Sequence, residues 1–334
     1  MMASRACLRF SCGFVFLVAM LTSAQATCTF NSAGLTVTPL TASTGSYTTP
    51  IAPVAQAVTI TISGTYNTNA TAGTCSGAIS FQRATLPATM ADTSGGTATL
   101  PYTIRTTAAG GNTLLFTGTS VGFANVQQYS FTSAGANLTN RAYTVTLTTY
   151  FLMQPGAPQA AGSYSDSLTM WMFDLATGVG FASRGFTVTG TVTKVCTIGG
   201  VARPTADTAT IPVSAAGAVN TAVINKSYAS AVCNTPSNVQ LTSLNGAVTN
   251  AGSPPSGFTN LINYSSTAVF SGASASLNTV TNPLATGPES GTAVSTTGAL
   301  PTGTMTVTIT PQANALKLLS GTYSDTLTIT ITPQ

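Results

Sequence analysis

One nine-residue string occurs twice in this chain, and that repetition constrains its architecture more than any other feature. Residues 162–170 read GSYSDSLTM and residues 321–329 read GTYSDTLTI. Six of the nine positions are identical, and the other three exchange Ser for Thr or Met for Ile. The two tyrosines, Tyr164 and Tyr323, are offset by 323 − 164 = 159. Cysteines recur at similar offsets, 196 − 28 = 168 and 233 − 75 = 158. Such a chain is expected to be two copies of one unit of roughly 150 residues, an ordinary domain size. The expected division is a leader over 1–26, an N-terminal domain over 27–190 and a C-terminal domain over 191–334.

Each copy reads as all-β. Residues 58–62 (VTITI), 143–147 (YTVTL), 305–309 (MTVTI) and 327–331 (LTITI) alternate apolar residues with Thr. Period two with β-branched residues marks strands with one buried face. Turn-forming clusters separate them, among them 94–96 (SGG), 109–112 (AGGN) and 252–255 (GSPP). No helical periodicity with caps is present, so two Ig-like β-sandwiches in tandem are expected.

The composition excludes several functions. Charged residues make up 5% of the 334 and there is no His. No imidazole triad or imidazole metal site can form. Ten basic residues spread along the chain do not make a nucleic-acid surface, which needs clustered Lys and Arg. Six carboxylates, two of them at equivalent repeat positions, argue against a glycosidase pair and against an enzyme in general. No cofactor or metal is expected.

Residues 1–26 read as an export signal. Arg5 and Arg9 precede an apolar run over 13–21 (GFVFLVAML), and Ala24-Gln25-Ala26 fits a cleavage site. Cleavage there removes Cys7 and Cys12 with the two arginines, leaving 10 − 2 = 8 basic and 6 acidic side chains. Four cysteines remain, Cys28, Cys75, Cys196 and Cys233, an even count that in an exported chain reads as disulfides. Three pairings are open. The sequential one, Cys28–Cys75 and Cys196–Cys233, is favoured because its loops have similar spans, 75 − 28 = 47 and 233 − 196 = 37. No Cys-x-x-Cys is present to suggest zinc.

The two copies end differently. After Tyr164 the chain runs on to Val195 and includes a further alternating strand, 185–193, with Phe186, Val188 and Val192 on one face. After Tyr323 the sequence ends at Gln334, with a single alternating strand left. The second sandwich is therefore expected to lack one strand. It would expose an apolar groove and an unpaired edge to be filled by another chain.

The repeated Gly-[Ser/Thr]-Tyr-Ser-Asp-[Ser/Thr]-Leu-Thr element, the early cysteine of each copy and the Thr-rich strands resemble the spore coat protein U domain. That domain forms the subunits of archaic, Csu-type chaperone–usher pili. The resemblance implies an incomplete Ig-like pilin domain, assembled by donor-strand exchange through a periplasmic chaperone and an outer-membrane usher. An adjacent pilus subunit would then donate the missing strand. It also implies that the chaperone's strand enters a groove bordered by Leu327, Ile329 and Ile331 and anchors the carboxylate of Gln334. Family subunits carry a donor extension before their first cysteine. Here only Thr27 separates Cys28 from the expected cleavage site, so the chain is expected to accept a strand without donating one. That places it at the pilus tip, exported through the periplasm to the cell surface, where two-domain tip adhesins are found.

An adhesive N-terminal domain would bind through loops. Three apolar stretches are candidates: Phe151, Leu152, Met153 and Pro155; Ile51 and Val54; Leu86 and Met90. The resemblance implies exposed apolar fingers that stick to abiotic or host surfaces. The competing reading is that these side chains cap the sandwich core, as most Phe, Leu and Met do. Trp171, the only tryptophan, reads as a covered strand residue, with sugar stacking as its alternative. Asp166 and Asp325, being equivalent, read as structural hydrogen-bond acceptors. A surface-layer sandwich and a sugar-binding lectin of the same fold are the other functional readings.

Overall fold

The computed structural model describes residues 28–47, 55–68, 73–117, 125–133, 138–153, 159–175, 177–200, 206–281, 287–298 and 300–334. The expected export signal, and with it Cys7 and Cys12, lies outside these residues.

The first twelve strands are β1 (Cys28–Thr38), β2 (Thr41–Tyr47), β3 (Ala55–Thr68), β4 (Gly73–Gln82), β5 (Thr89–Asp92), β6 (Thr99–Thr107), β7 (Gly110–Thr113), β8 (Leu115–Phe116), β9 (Gln127–Ser133), β10 (Leu138–Met153), β11 (Gly162–Asp174) and β12 (Gly180–Val192). The path β1-β3-β10-β6 forms one layer. Strand β6 also pairs β5, which carries the ladder into a second layer, β5-β11-β12-β2, with β4 beside β11. The alternation of Thr with Ile, Val or Leu decides which face is inside. On β3, Ile60 and Ile62 are fully buried and Thr59 is exposed; on β12, Phe186, Val188 and Val192 are buried. Rings of Phe81, Phe151 and Phe186 meet at the centre, with centroids 5.1–6.1 Å apart. Such pairs contribute about 0.5–1.5 kcal/mol beyond their buried area.

The remaining strands are β13 (Cys196–Ile198), β14 (Ile224–Cys233), β15 (Ser237–Ser243), β16 (Val248–Thr249), β17 (Phe258–Thr259), β18 (Leu261–Ile262), β19 (Tyr264–Phe270), β20 (Ala273–Asn278), β21 (Glu289–Ser290), β22 (Val294–Ser295), β23 (Thr302–Pro311), β24 (Lys317–Leu318) and β25 (Leu327–Pro333). One sheet runs β13-β14-β23-β19-β20. The other is built on β15, which pairs β21, β22 and β25. A second apolar core, including Val239, Leu241, Phe270, Leu277 and Val307, lies between them.

The chain is thus all-β and folds as two β-sandwiches in sequence. Cysteines pair sequentially, Cys28 with Cys75 and Cys196 with Cys233. In the chain-entropy account each closure contributes roughly 3–4 kcal/mol. Strand β12 leads to Cys196 through Thr193, Lys194 and Val195, and Asn234, fully buried, fastens that passage. Its amide side chain donates to the Thr193 carbonyl at 2.7 Å and accepts from the Val195 N–H at 2.8 Å. Its backbone N–H donates to the Val195 carbonyl, and its carbonyl accepts from the Ala161 N–H.

Burial beside Phe30, Tyr66 and Phe131 pushes the Tyr143 hydroxyl up to about 12, and burial raises Tyr102 and Tyr129 in the same direction. The neutral phenol is the form the fold favours, whereas an unfolded tyrosine ionises near 10. This stability is therefore complete below about pH 10 and is lost as the pH climbs toward 12. Thermal melts followed by circular dichroism should give a constant Tm from pH 8 to about 9.5 and a falling one above about pH 10. A Tm that is flat to about pH 11.5 would contradict this burial.

Candidate functional site

The repeat places β11 and β25 in equivalent positions, and their surroundings differ in one respect. Strand β11 pairs β4 and β5 along one edge and β12 along the other. Strand β25 pairs β15 along its full length and has no strand along its other edge among the described residues. The side chains register that difference. Leu168, Met170 and Met172 are 4%, 0% and 0% exposed. Their repeat equivalents, Leu327, Ile329 and Ile331, are only half-buried. Tyr164 is buried and Tyr323 half-buried, although each donates to the carbonyl of the residue four places before it, Ala160 and Leu319.

The uncovered face opens into a groove of about 910 Å³ between the two sheets. Leu327, Ile329, Tyr323 and Asp325 form one wall, and Ile224, Tyr228, Met305, Val307 and Ile309 the other. Val248 and Ile262, paired across β16 and β18, close one end. The exposed segment 206–213 runs along the mouth, fastened by Asp207 to Lys226 at 3.1 Å. That Lys226 ammonium, with the Thr208 N–H, holds the Asp207 carboxyl below the usual range.

Of the expected groove residues, Leu327 and Ile329 form one wall and Ile331 lies outside the lining; the expectation missed the opposite wall. On β23 the wall of Met305, Val307 and Ile309 is the apolar face of the 305–309 alternation, a pattern that marks a strand but not the groove it faces. Gln334 is tied to its own chain: its carbonyl oxygen accepts from the Thr235 hydroxyl at 2.8 Å, and its N–H donates to the Pro236 carbonyl.

The repeated aspartates are cross-strand acceptors. Asp166 accepts from Tyr102 at 2.7 Å and from Arg83 at 2.6 Å. Asp325 accepts from Tyr264 and Ser243, both at 2.6 Å, and from the Asn245 N–H at 3.0 Å. Three donors around a carboxylate satisfy its charge without a cation. Asp92 holds the 92–96 turn by accepting from Ser94. No group of three or more His, Cys, Asp or Glu side chains suited to a metal occurs among the described residues.

Adhesive-loop expectations meet a correction. Phe151 and Met153 are fully buried, and Leu152 is half-buried. Strand β10 runs on to Met153, pairing β3 as far as Leu152 and β6 as far as Met153, so Phe151 and Met153 are its next inward positions after Leu147 and Thr149. Met90, on β5, is fully buried too. Leu86 is 46% exposed in the connection between β4 and β5. Ile51, Val54 and Pro155 lie outside the described residues. Trp171 is half-buried on the outer face of β11, donates to Gln82 at 2.7 Å and stacks on Phe173.

The sequence matches no family profile and no curated protein. Among solved structures, the chain is similar to a chain of the CsuC–CsuE chaperone–tip adhesion subunit pre-assembly complex of archaic chaperone–usher Csu pili from Acinetobacter baumannii. The TM-score is 0.39 at 13% identity, over 91% of this chain and 99% of that one. It is similar to the CupB6 tip adhesin of Pseudomonas aeruginosa at a TM-score of 0.29 and 11% identity, over 92% and 94% of the two chains. It is similar to the adhesin CfaE of enterotoxigenic E. coli at 0.29 and 11%, over 88% and 92%.

Replacing Phe151 by Ala should cost about 3–5 kcal/mol, because the ring leaves a cavity against Phe81 and Phe186. Replacing Leu86 by Ser should change stability by no more than about 0.5 kcal/mol. Urea denaturation of the two variants checks both values.

Proposed function

We propose that the chain is the tip subunit of a chaperone–usher pilus, with an N-terminal adhesive sandwich carried on a C-terminal sandwich that accepts a donated strand. The expected division at residues 190–191 falls inside β12, whose Val192 belongs to the first core, so the boundary is drawn after Val192 instead. One observation carries the reading: Leu327, Ile329 and Ile331 are half-exposed where Leu168, Met170 and Met172 are covered, with β12 alongside. A strand-sized apolar groove beside an unpaired strand edge is a template for β-augmentation. Left open, it is a site of aggregation. A periplasmic chaperone would fill it before assembly and an adjacent pilus subunit after it, with transfer at an outer-membrane usher. The paired cysteines suit that oxidising route. An export signal over 1–26 supplies the entry to it.

Attachment is assigned to the N-terminal sandwich. With so little charge on the chain, contact with a surface rests on apolar and hydroxyl groups rather than on ion pairing. Leu86 is the exposed apolar candidate, together with the stretches around Ile51, Val54 and Pro155. Each such side chain buried against a plastic or waxy surface contributes about 1.5–3 kcal/mol. Many tips acting together multiply that into firm attachment, the basis of biofilm formation.

Expression of 27–193 and of 196–334 separates this reading from a surface-layer sandwich. The N-terminal piece should melt cooperatively alone. The C-terminal piece should stay soluble only with a chaperone or an added strand. Cooperative unfolding of 196–334 without a partner would make it a closed sandwich and remove the pilus reading. Adhesion that competes with a soluble glycan would favour a lectin over apolar attachment.

A further inference from the structure

The N-terminal sandwich holds, already bound, the kind of strand that the C-terminal one lacks. From this we infer the register, direction and side-chain pattern of the strand that enters the groove, an inference that rests on the strand-accepting reading above. The incoming strand runs antiparallel to β25 and parallel to 206–213. It places a bulky apolar residue opposite Leu327, an aliphatic one opposite Asp325, a glycine opposite Tyr323 and an aliphatic one opposite Gly321.

Four observations support this. First, β12 runs antiparallel to β11 with Phe186 opposite Leu168, Val188 opposite Asp166, Gly190 opposite Tyr164 and Val192 opposite Gly162. The repeat carries these β11 partners to Leu327, Asp325, Tyr323 and Gly321, the same four residue types. Second, β12 is flanked on its other side by β2, to which it runs parallel. Strand β2 begins at Thr41, an offset of 41 − 28 = 13 from Cys28. The groove-side segment 206–213 spans offsets of 206 − 196 = 10 to 213 − 196 = 17 from Cys196, overlapping the 13 to 47 − 28 = 19 that β2 spans from Cys28. In the N-terminal half Ala42 and Thr44 on β2 are 1% exposed beside β12. Segment 206–213, by contrast, is largely exposed and pairs with no named strand among the described residues.

Third, the glycine position is tight. A Cβ on Gly190 would lie 2.6 Å from the Thr44 hydroxyl, 3.2 Å from the Met90 methyl and 3.4 Å from a Leu100 methyl. Met90 and Leu100 are cross-strand partners. Their counterparts in the C-terminal half are Val248 and Ile262, likewise partners, and both line the groove with Tyr323. Fourth, the position opposite Asp325 needs no cation. Tyr264, Ser243 and the Asn245 N–H already donate to that carboxylate, so an aliphatic residue can stand opposite it as Val188 stands opposite Asp166.

The test uses the chain from Thr27 onward, refolded with a peptide of the β12 sequence, GFASRGFTVTGTV. Ser165 faces Thr189 and Ser167 faces Thr187, which maps to Ser324 and Thr326 on the C-terminal side. Chains carrying Ser324→Cys or Thr326→Cys are mixed with peptides carrying Thr189→Cys or Thr187→Cys. The matched pairs, 324 with 189 and 326 with 187, should form disulfides, and the crossed pairs should not. A Gly190→Leu peptide should compete about tenfold less well or worse, because the added side chain overpacks the site. Crosslinking of the crossed pairs, or equal competition by the leucine peptide, would overturn the register while leaving the groove as a strand acceptor. Failure of every peptide to bind or crosslink would overturn the register and the strand-accepting reading together.

Discussion

Among the described residues, strand β25 pairs with β15 alone where β11 has β4, β5 and β12, and the C-terminal sandwich depends on that missing ladder. A strand edge carries backbone donors and acceptors at every second residue, and an apolar face carries methyl groups at every second residue. Both need the same neighbour. Without it, the wall of Leu327 and Ile329 stays half-wet and faces the half-buried Tyr228 and Ile309 across a groove. In the N-terminal half, the single strand β12 removes both defects at once. The two halves therefore compare a filled and an unfilled version of one design within one chain.

Around that difference the two halves solve the same polar problem in different ways. A carboxylate near the core must have its charge satisfied. Asp166 has a tyrosine hydroxyl and a guanidinium; Asp325 has a tyrosine hydroxyl, a serine hydroxyl and a backbone N–H. The second solution uses no cation, which keeps the groove wall short of fixed positive charge. Lys226, at the mouth, is already committed to Asp207. What the groove offers an incoming chain is thus shape and backbone pairing, with little electrostatic preference.

Much of the fold was legible because its signals are local. The Thr-apolar alternation of 58–62 and 327–331 maps onto β3 and β25, and the repeat predicted which aspartates would be structural. The end of β10 was misread for an equally local reason. Thr148 is half-buried and Thr149 faces in, so two adjacent threonines hide the alternation just before Phe151. Thr149 is tolerated inside because its hydroxyl bonds the Val58 carbonyl. The partners of Asp166 could not be read at all: Arg83 and Tyr102 are remote in sequence, and only the fold brings them together. Segment 206–213 escaped notice because it has neither a clean alternation nor, without its neighbour, a ladder to define it.

The passage from β12 to Cys196 has a mechanical meaning. Thr193 and Val195 are bonded to Asn234, so the two sandwiches are joined without slack chain. Tension applied to the C-terminal half enters the N-terminal half along the axis of β12. That strand lies between β11 and β2, with ladder bonds to β11 from Gly180 to Val192 and to β2 from Thr187 to Val192. The load is therefore shared by many bonds in shear rather than broken one at a time by peeling. Pulled from its C-terminal end, the N-terminal sandwich would resist through the sheared ladders of β12.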